Sequence, residues 1–134
     1  MSDEDVAFIQ RVLELFIAGE RDEAWGMWAE DGVGIPPKDW PEAGEFKGRD
    51  AIRAQFEGWN AVLGRDWVHA LRISELRDLG EGRVLATIGV EPGAPEAGVP
   101  LEELATIYTV RDGMITRAEF FMSWDEAREA AEVQ

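Results

Sequence analysis

The chain has no cysteine, one histidine (His69), one tyrosine (Tyr108) and two lysines (Lys38 and Lys47). Without cysteine there are no disulfide staples and no thiolate chemistry, and redox evidence leaves the compartment open. One histidine among scattered carboxylates makes a poor metal site, because stable sites need three or four converging ligands; no metal is expected. No apolar run approaches the roughly 18 residues that would suggest a membrane span. The opening Met1-Ser2-Asp3-Glu4-Asp5 is acidic where a secretory signal would be basic, so a cytoplasmic location is expected. A phosphate loop, a Gly-x-Gly-x-x-Gly turn and a Gly-x-Ser-x-Gly elbow are all missing, which leaves nucleotide binding and serine hydrolysis unsupported and no cofactor expected. Cations are scarce as well. A formal charge of −15 repels phosphate backbones and anionic lipid, so neither nucleic acid nor a membrane is an expected partner. The plain reading of that charge is solubility. Arginine outnumbers lysine heavily, which fits a GC-rich bacterial genome.

Tryptophan, by contrast, is abundant. Trp25, Trp28, Trp40, Trp59, Trp67 and Trp124 are spread along 134 residues. Rings of this size either fill a core or wall an apolar cavity, and composition does not separate the two. The length suits one domain, 1–134, large enough to be stable without staples.

The period of the apolar residues changes once along the chain. Ser2 or Asp3 can cap a first helix, whose stripe is Val6, Ile9, Val12, Leu13, Phe16 and Ile17, with Gly19 at its end. A second short helix is expected from about Glu20 to Glu30, closed by Asp31-Gly32. Val33 to Ile35 then suits a short strand stopped by Pro36-Pro37. Residues 36–48 read as a loop by composition. Gly48-Arg49-Asp50 opens a third helix with Ile52, Phe56, Trp59, Val62 and Leu63 apolar, ended by Gly64. From there the period falls from 3.6 to 2. Strands are expected at Trp67 to Leu76, Arg83 to Glu91, Leu101 to Arg111 and Met114 to Ser123. Asp78 to Gly82 reads as a turn, Pro92 to Pro100 as a flexible connection, and Asp112-Gly113 as a hairpin. Trp124 to Val133 reads as a short acidic helix. Helices followed by a four-stranded antiparallel meander make an α+β layout, with helices on one face of a curved sheet.

Three segments carry a resemblance to a known family. They are Trp28-Ala29-Glu30-Asp31-Gly32-Val33, Phe46-Lys47-Gly48-Arg49-Asp50-Ala51-Ile52, and the run from Val110 to Phe121, Val110-Arg111-Asp112-Gly113-Met114-Ile115-Thr116-Arg117-Ala118-Glu119-Phe120-Phe121. No one of them is specific; their order and spacing together are. The chain resembles the nuclear transport factor 2-like superfamily and, within it, the SnoaL-like group. The resemblance implies a cone: a mostly antiparallel curved sheet wrapped around three helices, open at one end to an apolar pocket. It also implies frequent homodimers that pair through the outer sheet face. Members include isomerases, dehydratases, epoxide hydrolases, polyketide cyclases and non-catalytic binding or scaffold domains, so fold alone does not settle function.

On the last strand, simple alternation puts Ile115, Arg117, Glu119, Phe121 and Ser123 on one face and Thr116, Ala118, Phe120 and Met122 on the other. The resemblance implies that the face of Glu119 looks into the cone, where apolar walls would raise its pKa and suit it to proton transfer. The alternative is an ion pair with Arg117 or another arginine. Tyr108 shares a face with Leu104, Thr106 and Val110, which the resemblance turns inward; its hydroxyl would orient a ligand carbonyl or simply be satisfied in the core. His69, with Trp67 and Leu71 on its face, is the one side chain with an ordinary pKa near neutrality, and reads as a catalytic partner or a structural donor. Phe16, Phe56 and Trp59 are expected at the pocket floor or in the core. Phe120 and Met122 form an outward apolar pair that a two-fold dimer would bury.

The partners of the family's named chemistries are missing. Where the epoxide hydrolases carry an Arg and an Asp two apart, this chain has Ile88 and Val90, and where they carry a Tyr and an Asn it has about Gly34 and Pro36. The Tyr on the first helix and the Asp near Pro36 that ketosteroid isomerases need are also absent. Two readings follow. One is a proton-transfer enzyme acting on a small apolar, polyketide- or terpene-like molecule, with Glu119 as general acid or base and His69 or Tyr108 polarising an oxygen. The other is a non-catalytic ligand-binding or scaffold domain. A pocket filled by Trp and Phe is a third outcome.

Overall fold

The computed structural model describes residues 2–36, 46–63, 71–90, 103–121 and 123–133. Helix α1 (Ser2–Ile17) forms where the first stripe predicts it, and Ile9, Val12 and Leu13 are buried along it. Its apolar face crosses the later strands β3 (Leu71–Gly80) and β4 (Arg83–Val90). Gly19 follows at φ +90°, a left-handed stop that glycine adopts without a steric penalty.

Helix α2 is shorter than its sequence suggests. It spans only Arg21–Trp25, and strand β1 begins at Trp28 and runs to Ile35. The expected helix to Glu30 therefore gives way to strand over Trp28 to Glu30. The reason is tertiary. The Ile115 backbone N–H donates to the Met27 carbonyl at 3.0 Å, and Trp28 then pairs with Ile115, so the sheet captures a segment of acceptable helix formers. Trp28 is buried against Trp25 and Tyr108 as a result.

Strand β2 is two residues, Phe46–Lys47, at the end of the stretch that composition reads as loop; residues 37–45 lie outside the described set. Helix α3 (Arg49–Leu63) follows and lies on β1. The contact is close: a Cβ on Gly34 would sit 3.1 Å from Ile52 Cγ1, so glycine lets the helix settle onto the strand. Strands β3 and β4, with β5 (Glu103–Arg111) and β6 (Met114–Phe121), make the expected meander. The described β3 runs on to Gly80, so its turn is just Glu81-Gly82. Asp112 (φ 53°) and Gly113 (φ +75°) form the two-residue hairpin that joins β5 and β6.

Among the described residues the sheet has six strands in the order β2-β1-β6-β5-β4-β3, with β1 parallel to β6 and the remaining pairs antiparallel. Both faces are covered. On one, Ile9 of α1, Trp25 of α2 and Ile52 of α3 join Trp28, Val84, Tyr108, Ala118 and Phe120 of the strands in one core. On the other, Leu85, Ala105 and Ile107 pack under helix α4 (Trp124–Val133) through Ala127. Trp124 fixes that helix, donating its indole N–H to the carbonyls of Ile88 and Leu104, both at 3.1 Å. Ser123 Oγ caps it by accepting from the Glu126 N–H at 3.4 Å. Among the described residues no helix is long and apolar enough to cross a membrane.

Candidate functional site

The helix-covered face gathers aromatic rings from six elements, α1, α2, α3, β1, β5 and β6. Phe16 of α1 meets Phe56 of α3 at 5.4 Å between centroids, and Phe56 meets Trp25 at 5.4 Å and Phe120 at 5.5 Å. Trp25 and Trp28 lie 5.3 Å apart, and Trp28 meets Tyr108 edge-on at 6.3 Å. Edge-to-face packing of this kind adds to the area that the rings remove from water. Phe16 and Phe56 are only half-buried, so the cluster reaches the surface on the helix side. Phe16, Phe56 and Tyr108 thus lie on the same side of the sheet.

Tyr108 is 5% exposed. Burial pushes its phenol up to about 12, with a hydrogen bond from the Thr106 side chain pulling the other way. A phenol that keeps its proton is a hydrogen-bond donor at any physiological pH. The same shift predicts the alkaline limb of stability. The folded state holds the proton above the unfolded value of about 10, so this contribution is complete below pH 10 and is lost as pH rises toward 12. A loss of up to about 3 kcal/mol across that window is expected. Phenolate absorbance from this single tyrosine should rise near pH 12 in the folded protein. A rise with its midpoint near pH 10 while the fold is intact would contradict it.

The last strand is where simple alternation fails. Val110 pairs with Ile115, but Thr109 pairs with Arg117, so Thr116 is an extra residue in β6. Thr116 Oγ1 donates to the Thr109 carbonyl at 3.3 Å across this bulge. One inserted residue reverses the facing of everything beyond it. Ile115 stays on the helix-covered face, and Ala118 and Phe120 join it there. Arg117, Glu119 and Phe121 turn to the α4 side, where Glu119 pairs with Ile107 and Phe121 with Ala105. The expectation that Glu119, Arg117 and Phe121 look into the cone with Tyr108 is therefore corrected: Tyr108 and Glu119 lie on opposite faces of the sheet. Glu119 instead meets Arg117 at 3.3 Å, the ion pair that the sequence offers as the alternative. Phe120, expected outward in a dimer face, is 8% exposed and packs on Phe56.

Other expected site residues are not described. His69, Trp67 and Met122 lie outside the described residues, and Trp59 lies in α3 with its side chain outside them. Among the described residues no three His, Cys, Asp or Glu side chains converge.

Sequence reasoning passed over Gln55. It sits in α3 between Ile52 and Phe56 and is 5% exposed. Neither its Oε1 nor its Nε2 has a hydrogen-bond partner among the described residues. The signal is present in the sequence: Ile52, Gln55, Phe56 and Trp59 follow i, i+3, i+4, i+7, so a polar residue occupies the apolar stripe.

Comparison with known proteins agrees with this architecture. The SnoaL-like domain family matches residues 9–118. No curated protein matches the chain. A cystatin-like-fold protein of unknown function from Xanthomonas campestris superposes with a TM-score of 0.74 at 15% identity, covering 95% of each chain. Bal32a, from a soil-derived mobile gene cassette, gives 0.69 at 20% identity, covering 94% of this chain and 98% of its own. TerC, co-crystallised with polyporic acid, gives 0.67 at 18% identity, covering 96% and 98%. At these identities the structural likenesses show the fold, whereas the family match spans most of the sequence. With a six-stranded sheet, three helices on one face and a short C-terminal helix among its described residues, the chain belongs to the SnoaL-like domain family.

Proposed function

We propose that this protein binds a small, mostly apolar molecule on the helix-covered face of the sheet, with the Tyr108 hydroxyl orienting an oxygen of that ligand. The observation that carries it is the ring cluster of Phe16, Trp25, Trp28, Phe56 and Phe120, half-buried at Phe16 and Phe56 and joined to Tyr108 through Trp28. Apolar walls with a few polar groups are how small-molecule sites are usually built. That the similarly folded TerC was crystallised with a small organic molecule is consistent with this use of the fold.

A second reading, proton-transfer catalysis, keeps one supporting observation. A phenol held protonated up to about 12 is a donor suited to a developing oxyanion. Glu119 is not the acid or base in that reading, because it is ion-paired on the other face.

Titration with acetylnaphthalene, a neutral apolar ketone, tests the proposal by calorimetry. Binding in the range of about 10 µM is expected. Phe56→Ala and Tyr108→Phe should each weaken it about fivefold to tenfold, and Glu119→Gln should leave it unchanged. A wild-type protein that does not bind, or one weakened by Glu119→Gln as much as by Phe56→Ala, would refute the assignment of the face.

A further inference from the structure

Gln55 is a polar side chain buried at 5% exposure beside this ring cluster. A primary amide carries two N–H donors and a carbonyl acceptor, and both of its polar atoms here are sealed from water. An unmatched buried amide costs on the order of 1–3 kcal/mol. An apolar residue of similar size would avoid that cost at a stripe position between Ile52, 0% exposed, and Phe56. The group is therefore one that a ligand could satisfy. Its helical phase places it on the sheet-facing side of α3, next to the ring that joins Phe16, Trp25 and Phe120.

The charges nearby narrow the ligand further. The buried cluster of this face contains no ionised side chain among the described residues. The two arginines on the first turns of α3 are already engaged. Arg49 donates to the Trp28 carbonyl and sits 3.8 Å from Glu30; Arg53 pairs with Asp22 and Glu57. A carboxylate entering this face would lose its hydration without gaining a free countercharge among the described residues. A neutral donor beside a neutral acceptor can instead pair with both ends of the Gln55 amide.

We propose that Gln55 is a specificity residue of this site and that the ligand is a neutral, largely apolar molecule that places a hydrogen-bond donor next to an acceptor, as a carboxamide or lactam does. The proposal rests on the assignment of the helix-covered face as the ligand site, and goes beyond it by naming the chemistry read there.

Four naphthalene probes of matched shape test it by calorimetry on the full chain: naphthalene carboxamide, acetylnaphthalene, ethylnaphthalene and naphthoate. The wild type should prefer the carboxamide over ethylnaphthalene by about tenfold, the ketone should fall between them, and naphthoate should bind least at neutral pH. In Gln55→Leu and Gln55→Met the order of carboxamide and ethylnaphthalene should collapse to within about twofold, with ethylnaphthalene affinity kept or improved. Both variants should melt at or above the wild-type temperature, because each removes a buried unpaired amide. A preference that survives in both variants, or a wild type that does not discriminate between the probes, overturns the proposal while leaving the ligand face intact. Failure of all four probes on the wild type overturns the ligand face, and this inference with it.

Discussion

Gly82→Ala is expected to destabilise the protein by about 3 kcal/mol or more, while Gly113→Ala costs about 1–2 kcal/mol. Both glycines are in the left-handed region, at φ +79° and +75°. An alanine therefore meets a similar conformational penalty at either hairpin. The surroundings differ. At Gly113 an added Cβ meets nothing within 4 Å, whereas at Gly82 it would lie 2.5 Å from the Val110 carbonyl oxygen and from Arg111 Nη1. The arginine can swing away; the strand backbone cannot. That backbone is held where it is because Val110 N–H donates to the Gly82 carbonyl at 2.8 Å and Arg111 Nη1 donates to the Glu81 carbonyl at 2.5 Å. The β3–β4 turn is thus fastened to the end of β5, next to the bulge at Thr116. Chemical denaturation of the two variants side by side checks the prediction. Equal losses would show that the turn is free to move off β5.

Trp25→Ala is expected to cost about 3–5 kcal/mol, a large share of the total stability of a domain of this size. Trp25 is 4% exposed and touches rings from α1, β1 and α3: Phe16, Trp28 and Phe56. It is the larger of the two buried side chains of the five-residue helix α2, beside Ala24. Removing it leaves a cavity among aromatic rings that cannot collapse without moving α3 off the sheet. Urea unfolding should show a lower midpoint with an unchanged slope. If the loss is below about 1 kcal/mol, the cluster is looser than its centroid distances imply. Trp25→Phe should recover more than half of the loss, since it restores a ring to the same space.

The sequence by itself determined the class of the fold. The switch from a period of 3.6 to a period of 2 located helices and meander, Gly19 ended α1 where its stripe ran out, and Asp112-Gly113 could hardly be anything but a tight hairpin. Those features are local: they depend on backbone sterics and on residues near in sequence. The same locality placed Leu104, Thr106, Tyr108 and Val110 on one face, because β5 is unbroken between Glu103 and Thr109 in its pairing with β4. Gln55 was equally legible as a polar interruption of an apolar stripe, although only burial shows that neither end of its amide is paired.

Tertiary structure decided the rest, and for one recurring reason. Strand facing and strand extent are set by the partner strand, which is distant in sequence. The helix gave way to strand at Trp28 because β6 offered hydrogen bonds at Met27 and a pairing at Trp28. Glu119 exchanged the cone for the α4 side because Thr116 is a bulge, and no pattern within Met114 to Phe121 announces it: hydrophobic and polar residues fit either parity until the pairing with β5 is known. A single unpaired residue thus moved a carboxylate that resemblance had placed in the pocket onto the opposite face, and brought Phe120 into contact with Phe56 in its place.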